Sequence, residues 1–292
     1  MKGVILAGGE GTRLRPMTSV VGKQLLPVFD KPMIYYPLST LIFAGVDEVL
    51  IVTTEKEIRR FQELLGDGTS FGIQIFYKVQ DAPRGLAHGI QVASEFINEE
   101  AFYFILGDNL FHGPDFGMRL QDLPNSSLRN GAHIFAYRVS DPSQYGVISF
   151  SESDGSIKTL EEKPDKSISN WAIPGLYFFD GTAGRRVLEI SPSPRGELEI
   201  IDLLLSYLKD GSLEAHRISR GNAWFDLGTP ENLLIGAQFV HLIQSRQGML
   251  VGSPEEAAFR MKLISRLDVS ERFGNFGQNS YHDSVLRSVY SE

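Results

Sequence analysis

The sequence predicts an α/β protein with a mixed, mostly parallel central sheet flanked by helices, a β-rich second half and a helical tail. Three observations predict it. Between Lys2 and Leu106, short runs of unbroken apolar residues alternate with helical runs, and such strands belong to parallel sheets covered by helices on both faces. From His133 to Phe179 the runs become closely spaced and strand-like. A glycine cluster directly follows the first apolar run, at the carboxyl end of a strand, where open α/β sheets take their ligands.

Val4 to Ala7 is long enough for one buried strand. Met33–Ala44 predicts a helix ended by Gly45, Glu48–Thr53 a second buried strand, and Ile58–Leu65 a helix stopped at Gly66. Gln74–Tyr77 is a short strand, Gly85–Phe96 a helix and Phe102–Leu106 a strand of nearly pure hydrophobes. The later strands are His133–Tyr137, Val147–Phe150, Ile157–Glu161 and Gly175–Phe179, with Ser153-Asp154-Gly155 as a hairpin turn. Thr229 caps a helix that has Pro230 at its first position. Ser253-Pro254-Glu255-Glu256 is a capping box, and Phe259, Leu263, Ile264 and Leu267 then recur at helical spacing. We divide the chain into a core, 1–240, and a helical C-terminal segment packed on it, 241–292.

With 292 residues and 42% hydrophobic composition the chain can bury a sizeable core. A net charge of −8 argues against nucleic acid as a partner. Cysteine is absent, which rules out disulfides and thiolate-bound zinc. No apolar run reaches the ~18 residues of a membrane span. These properties suit a cytoplasmic enzyme with no membrane or nucleic-acid partner.

The loop after the first strand holds Gly8, Gly9 and Gly11 within four positions, with Arg13, Arg15 and Lys23 close behind. Glycines let a ligand touch the main chain, whose N–H groups suit an anion, and the cations suit a polyphosphate. Two familiar glycine loops are excluded. Leu14 stands where the dinucleotide fingerprint needs its third glycine, and Gln24 follows Lys23 where a P-loop needs Ser or Thr.

The full string Gly8-Gly9-Glu10-Gly11-Thr12-Arg13-Leu14-Arg15-Pro16, followed by Lys23-Gln24-Leu25-Leu26-Pro27, resembles the signature of the sugar-phosphate nucleotidylyltransferases. Asp30-Lys31-Pro32-Met33-Ile34-Tyr35-Tyr36-Pro37-Leu38 resembles the short-chain branch that joins dTTP to glucose 1-phosphate. The resemblance implies a Rossmann-like nucleotidyltransferase fold and Mg²⁺ held by Asp108 and Asp226. It implies nucleotide contacts from Leu6, Gly8, Gly9, Gly11, Thr12, Arg13, Lys23, Gln24, Gln80, Pro83, Gly85 and Asp108. Sugar-phosphate contacts would come from Asn109, Tyr145, Gly146, Glu162, Lys163, Ile173, Gly175 and Arg195. Arg13, Lys23, Lys163, Asp108 and Asp226 would carry catalysis. A homo-oligomer, tetramer first, and feedback by a downstream nucleotide-sugar are also implied.

Taken alone, several of these segments have blander readings. Gly107-Asp108-Asn109 is a turn, Glu161-Glu162-Lys163 a solvated charge run, and Tyr145 a half-buried aromatic. Gly22, Pro174 and Ile201 depart from the family pattern, where Ser, Thr and Thr are usual, and Ile173-Pro174 lies beside the expected sugar site. Two alternatives stay open. One is a relative using UTP or another sugar. The other is a non-catalytic sensor of nucleotide-sugar, which would lack Asp108, Asp226 or Lys163; all three are present.

Overall fold

The structure, a computed structural model, describes residues 1–114, 116–123, 130–274 and 279–290. The first half runs β1 (Lys2–Ala7), β2 (Pro27–Val28), β3 (Lys31–Pro32), α1 (Tyr35–Phe43), β4 (Glu48–Thr53), α2 (Glu55–Leu65), β5 (Gln74–Val79), α3 (Leu86–Ile97) and β6 (Phe102–Leu106). Then come β7 (Asn109–His112), α4 (Phe116–Asp122), β8 (Ala132–Arg138), β9 (Gly146–Phe150), β10 (Ile157–Glu162), β11 (Trp171–Ile173) and β12 (Leu176–Phe179). The chain finishes with α5 (Ala183–Arg186), α6 (Ile200–Lys209), β13 (Leu213–Arg217), β14 (Ala223–Asp226), α7 (Pro230–Gln247), α8 (Pro254–Arg260), α9 (Arg266–Gly274) and α10 (Ser280–Tyr290).

One ten-stranded sheet organises the molecule, in the order β10-β9-β11-β8-β12-β6-β1-β4-β5, with β13 beside β8. β6, β1, β4 and β5 are mutually parallel. β12 joins β6 antiparallel, and β8, β11, β9 and β10 continue antiparallel from there. The expected mixed sheet is present, with a larger antiparallel share than the sequence pattern suggests.

The register explains why the early strands are apolar throughout. Ile5 lies opposite Ile51 and Ile105, and this row packs under α1, α2 and the C-terminal helices. Val4 lies opposite Leu50 and Phe104, and that row packs under α3 and α6. Alternate residues therefore enter two different cores, so neither face tolerates a polar set.

The tail differs from the single run of helical spacing expected from Phe259 to Leu267. α8 ends at Arg260, Lys262 takes a left-handed φ of 60°, and α9 starts at Arg266. The break fits against Gly72, where a Cβ would stand only 2.6 Å from the Leu263 carbonyl oxygen. Ser265 then caps α9, its hydroxyl accepting from Asp268 N at 3.3 Å while the Asp268 carboxylate accepts from Ser265 N at 2.7 Å. Ile264 goes inside and Leu267 stays 65% exposed. α7 runs unbroken across residue 240, and Ala257, Val269 and Val285 share a core with Ile5.

Candidate active site

The glycine loop leaves the end of β1 at the rim shared by the parallel strands. Gly11 has φ 60°, and a Cβ there would stand 2.9 Å from the Thr18 methyl and 3.2 Å from Lys23 Cβ, so the turn needs glycine. Thr18 Oγ1 donates to the Gly11 carbonyl at 2.7 Å and fixes the loop. The turn that follows, Thr12–Leu14, buries Leu14 and leaves the Arg13 side chain to reach across the rim. There its Nη2 lies 3.0 Å from where a Gly228 side chain would begin, and Asp226 Oδ1 lies 2.9 Å from the same point.

Asp108 and Asp226 are far apart in sequence and are joined by a small ribbon. β6 ends, Gly107 turns, and β7 pairs antiparallel with β14 so that Asn109 faces Asp226. Leu227 N donates to the Asp108 carbonyl at 2.9 Å. Asn109 is the strut of this junction. Its Oδ1 accepts from Trp224 Nε1 at 2.6 Å and from Gly175 N at 3.0 Å, and its Nδ2 donates to Asp108 Oδ1 at 3.1 Å. One buried amide thus ties β7, β14 and the approach to β12.

The two carboxylates are electrostatically unequal. Burial alone pushes both upward, but the Lys23 ammonium, bonded to Asp108 Oδ2, outweighs it there and holds Asp108 below the usual range. Asp226 is pushed up to about 6 by burial and by the Asp108 charge, against Lys23 and Arg13. Two buried carboxylates that raise each other's charging cost, with an ammonium already on one of them, form a site that wants a cation. Their donors are oxygens only, which suits a hard dication such as Mg²⁺.

These residues face a cavity of about 300 Å³. Of the expected nucleotide residues, Leu6, Gly8, Gly9, Arg13, Lys23, Gln24, Gln80, Pro83, Gly85 and Asp108 line it. Gln80 is 5% exposed, with Nε2 and His88 Nδ1 at 2.8 Å, so the imidazole sets the amide's direction. Gly85 has φ 96°, and a Cβ there would sit 2.4 Å from the Leu198 carbonyl oxygen, so close packing on that segment requires glycine. Of the expected sugar-phosphate residues, Asn109, Tyr145, Gly146, Glu162, Lys163, Ile173 and Gly175 line the cavity, as does Asp226. Lys163 takes φ 42° at the end of β10, a disfavoured left-handed conformation, while its N donates to the Tyr145 carbonyl at 3.1 Å. Burial and the Asp226 charge push the Tyr145 hydroxyl upward.

Gly11, Thr12 and Arg195 are not on the cavity wall. Gly11 and Thr12 are taken up by the turn that presents Arg13. Arg195 is folded onto carboxylates, with Nη2 2.9 Å from Glu199 Oε1, 3.5 Å from Glu162 Oε1 and 3.8 Å from Glu197 Oε2. Sequence reasoning missed Glu197 and Glu199, which line the cavity together with Gln144, Tyr177, Ile200, Ile201 and Trp224. Their signal was available: Glu197 and Glu199 flank Leu198 directly after Arg195-Gly196, and alternate residues of an extended segment share a side. Ile201, one of the departures from the family pattern, brings Cδ1 within 3.1 Å of where a Gly146 Cβ would stand.

Residues 2–242 match the family model described as nucleotidyl transferase. The glucose-1-phosphate thymidylyltransferase of Neisseria gonorrhoeae is 45% identical over 289 residues, covering 99% of each chain. That of Mycolicibacterium smegmatis is 44% identical over 292 residues, covering all of both. Among solved structures, a putative glucose-1-phosphate thymidylyltransferase from Bacillus anthracis in complex with a sucrose superposes with a TM-score of 0.75 at 35% identity, over 82% of this chain and 94% of that one.

Proposed function

The chain belongs to the nucleotidyl transferase family, and on that premise we infer that it joins dTTP to glucose 1-phosphate, giving dTDP-glucose and pyrophosphate. The observation that carries this reading is the convergence of Asp108, Asp226, Lys23, Arg13 and Lys163 on one cavity. A non-catalytic sensor would not need that set.

The sugar phosphate oxygen attacks the α-phosphorus in line, the new P–O bond forms, and the bond to the pyrophosphate oxygen breaks. Catalysis is positioning and charge stabilisation, with no covalent enzyme intermediate. Asp108 and Asp226 would hold Mg²⁺, which supplies a counter-charge for the α-phosphate oxygens. Lys163 and Arg195 hold the attacking phosphate. Arg13, Lys23 and the amides of Gly8 and Gly9 hold the β- and γ-phosphates and then the departing pyrophosphate. For this Lys23 must share its charge between Asp108 and phosphate. Gln24, Gln80 and Gly85 read the base edge, since an amide offers both donor and acceptor. Tyr145, Gly146, Glu162, Ile173 and Gly175 enclose the sugar.

Assembly and control belong to the same proposal. α7 leaves Leu234, Ile235 and Leu242 each more than half exposed, which supports a homo-oligomer, tetramer first. A second cavity between α7, α8 and α10 bears Arg260 and Arg287 and suits the phosphates of a feedback nucleotide-sugar. No helix among the described residues is long and apolar enough to cross a membrane, and the small charged substrates suit a cytoplasmic enzyme. Pyrophosphate release with each triphosphate against a panel of sugar 1-phosphates tests the reaction. dTTP with glucose 1-phosphate is expected to give the highest specificity constant. A clear preference for UTP would replace it with the related UTP-dependent reaction.

A further inference from the structure

Two of the six histidines face one another in a place the reaction does not use. β13 runs parallel to β8, with Glu214 opposite His133 and His216 opposite Phe135. Residues paired across neighbouring strands share a face, and so do residues two apart on one strand. His133, Glu214 and His216 therefore project from the same side of the sheet, toward Phe178 and Phe135. Their potential donor atoms all lie within 4.8 Å of one another. His133 Nδ1 and His216 Nε2 are 2.9 Å apart, and the Glu214 carboxylate oxygens are 3.8 Å from the first and 3.9 Å from the second. None of the three lines the catalytic cavity.

From this geometry we propose that His133, Glu214 and His216 bind a transition-metal dication of the zinc type, separate from the magnesium held by Asp108 and Asp226. In the metal-free chain the two ring nitrogens share one proton, because two N–H groups cannot point at each other at that distance. A metal takes the place of that proton. Tetrahedral zinc with bonds of ~2.0–2.1 Å sets its donors roughly 3.3 Å apart. Reaching it asks the rings to part and tilt slightly and one Glu214 oxygen, within 4.8 Å of both nitrogens, to close on them by up to about 1.5 Å. The carboxylate can do so, because the Glu214 side chain is 42% exposed. His133 is fully buried and fixes the inner ligand, while the His216 and Glu214 side chains are partly exposed, at 23% and 42%.

The donor set also fixes the class of metal. Imidazole nitrogen suits zinc, cobalt, nickel or copper, and Mg²⁺ prefers oxygen. Magnesium sufficient for the reaction therefore does not compete here. Arg119 on α4 is close enough for its charge to be felt at His216, so a dication must bind against that charge and the affinity is moderate. The bound ion would clip β13 to β8, upstream of the strand that carries Asp226.

The test is calorimetric titration of Zn²⁺ into the full chain with Mg²⁺ in excess, so that the catalytic carboxylates are occupied. Wild type is compared with His216→Ala and Glu214→Gln, both at partly exposed positions. One zinc per chain is expected in wild type, with each variant weakened by at least ~10-fold, as loss of a ligand demands. Co²⁺ is expected to give the visible absorption of a tetrahedral site in wild type and not in His216→Ala. Absence of Zn²⁺ binding in wild type, or unchanged affinity in His216→Ala, overturns the proposal. Circular dichroism checks that each variant folds, and Glu214→Gln decides by the same criteria if His216→Ala does not.

Discussion

The half of the site that precedes Asp108 and the half that follows it are built differently. Before Asp108, the groups that would read the nucleotide are already aimed. His88 orients Gln80, Gln24 is 3% exposed against Gly107, and Gly85 is locked on Leu198. After Asp108, the cations that would take the sugar phosphate are turned onto neighbours. Lys163 Nζ lies 3.3 Å from Glu162, and Arg195 rests on Glu199. Both side chains are nearly half exposed, at 45% and 46%, so their ion pairs are weak, roughly 0–1 kcal/mol each. On the proposed reading, one half would recognise by preset shape and the other by exchanging one anion for another. The β7–β14 ribbon holds the two aspartates where these halves meet.

If the ribbon is the reaction centre, the largest loss comes from breaking it chemically while leaving its backbone alone. Asp226→Asn keeps the size of the side chain and removes its charge. Turnover is expected to fall at least ~100-fold, the scale for losing a main charge stabiliser, with unfolding temperature little changed. Near-normal Mg²⁺-dependent activity in this variant would move the centre elsewhere.

On the proposed reading the preset half sets base selectivity. Gln24 and Gln80 would match the edge shared by thymine and uracil, and the bases differ by one methyl, worth roughly 1–3 kcal/mol in an apolar pocket. A preference for dTTP over UTP on the order of 10- to 200-fold in specificity constant is therefore expected. Purine triphosphates would leave the amides unpaired and fail more completely. Equal use of ATP and dTTP would remove the base-reading role from these residues.

The smallest effect sharpens the comparison most finely. His88→Ala frees the Gln80 amide by removing one hydrogen bond, a loss of about 0.5–1.5 kcal/mol. The KM for dTTP is expected to rise by a few-fold while that for glucose 1-phosphate stays constant. A rise in both would mean that His88 supports the whole cavity and not one side of it.

Legibility in the sequence divides along the same line. The strands β4 and β6 match their sequence bounds, because an unbroken apolar run can be buried in only a few ways, and the loops that follow parallel strands share one rim by topology. β7 and β14 span only four residues each, too short for a period to show, and Asp226 is recognisable only because Trp224-Phe225-Asp226-Leu227-Gly228-Thr229 resembles a segment of the family. The strut role of Asn109 depends on contacts with Gly175 and Trp224, which no local pattern encodes. The fold-back of Arg195 is partly local, onto Glu199 four residues on at 2.9 Å, and partly onto Glu162 of β10 at 3.5 Å, which no local pattern encodes. In the tail, Phe259 to Leu267 keeps helical spacing while the chain turns, yet Ser265-Arg266-Leu267-Asp268 is itself a second capping box. Read as a start signal, it places the break.

The most direct test of the division of labour is calorimetric binding of dTTP and glucose 1-phosphate, each alone with Mg²⁺, to wild type, Lys163→Ala and Arg13→Ala. Lys163→Ala is expected to lose glucose 1-phosphate affinity and keep dTTP affinity, and Arg13→Ala to do the reverse. If triphosphate affinity collapses in Lys163→Ala and survives in Arg13→Ala, the two halves of the site have been assigned to the wrong substrates.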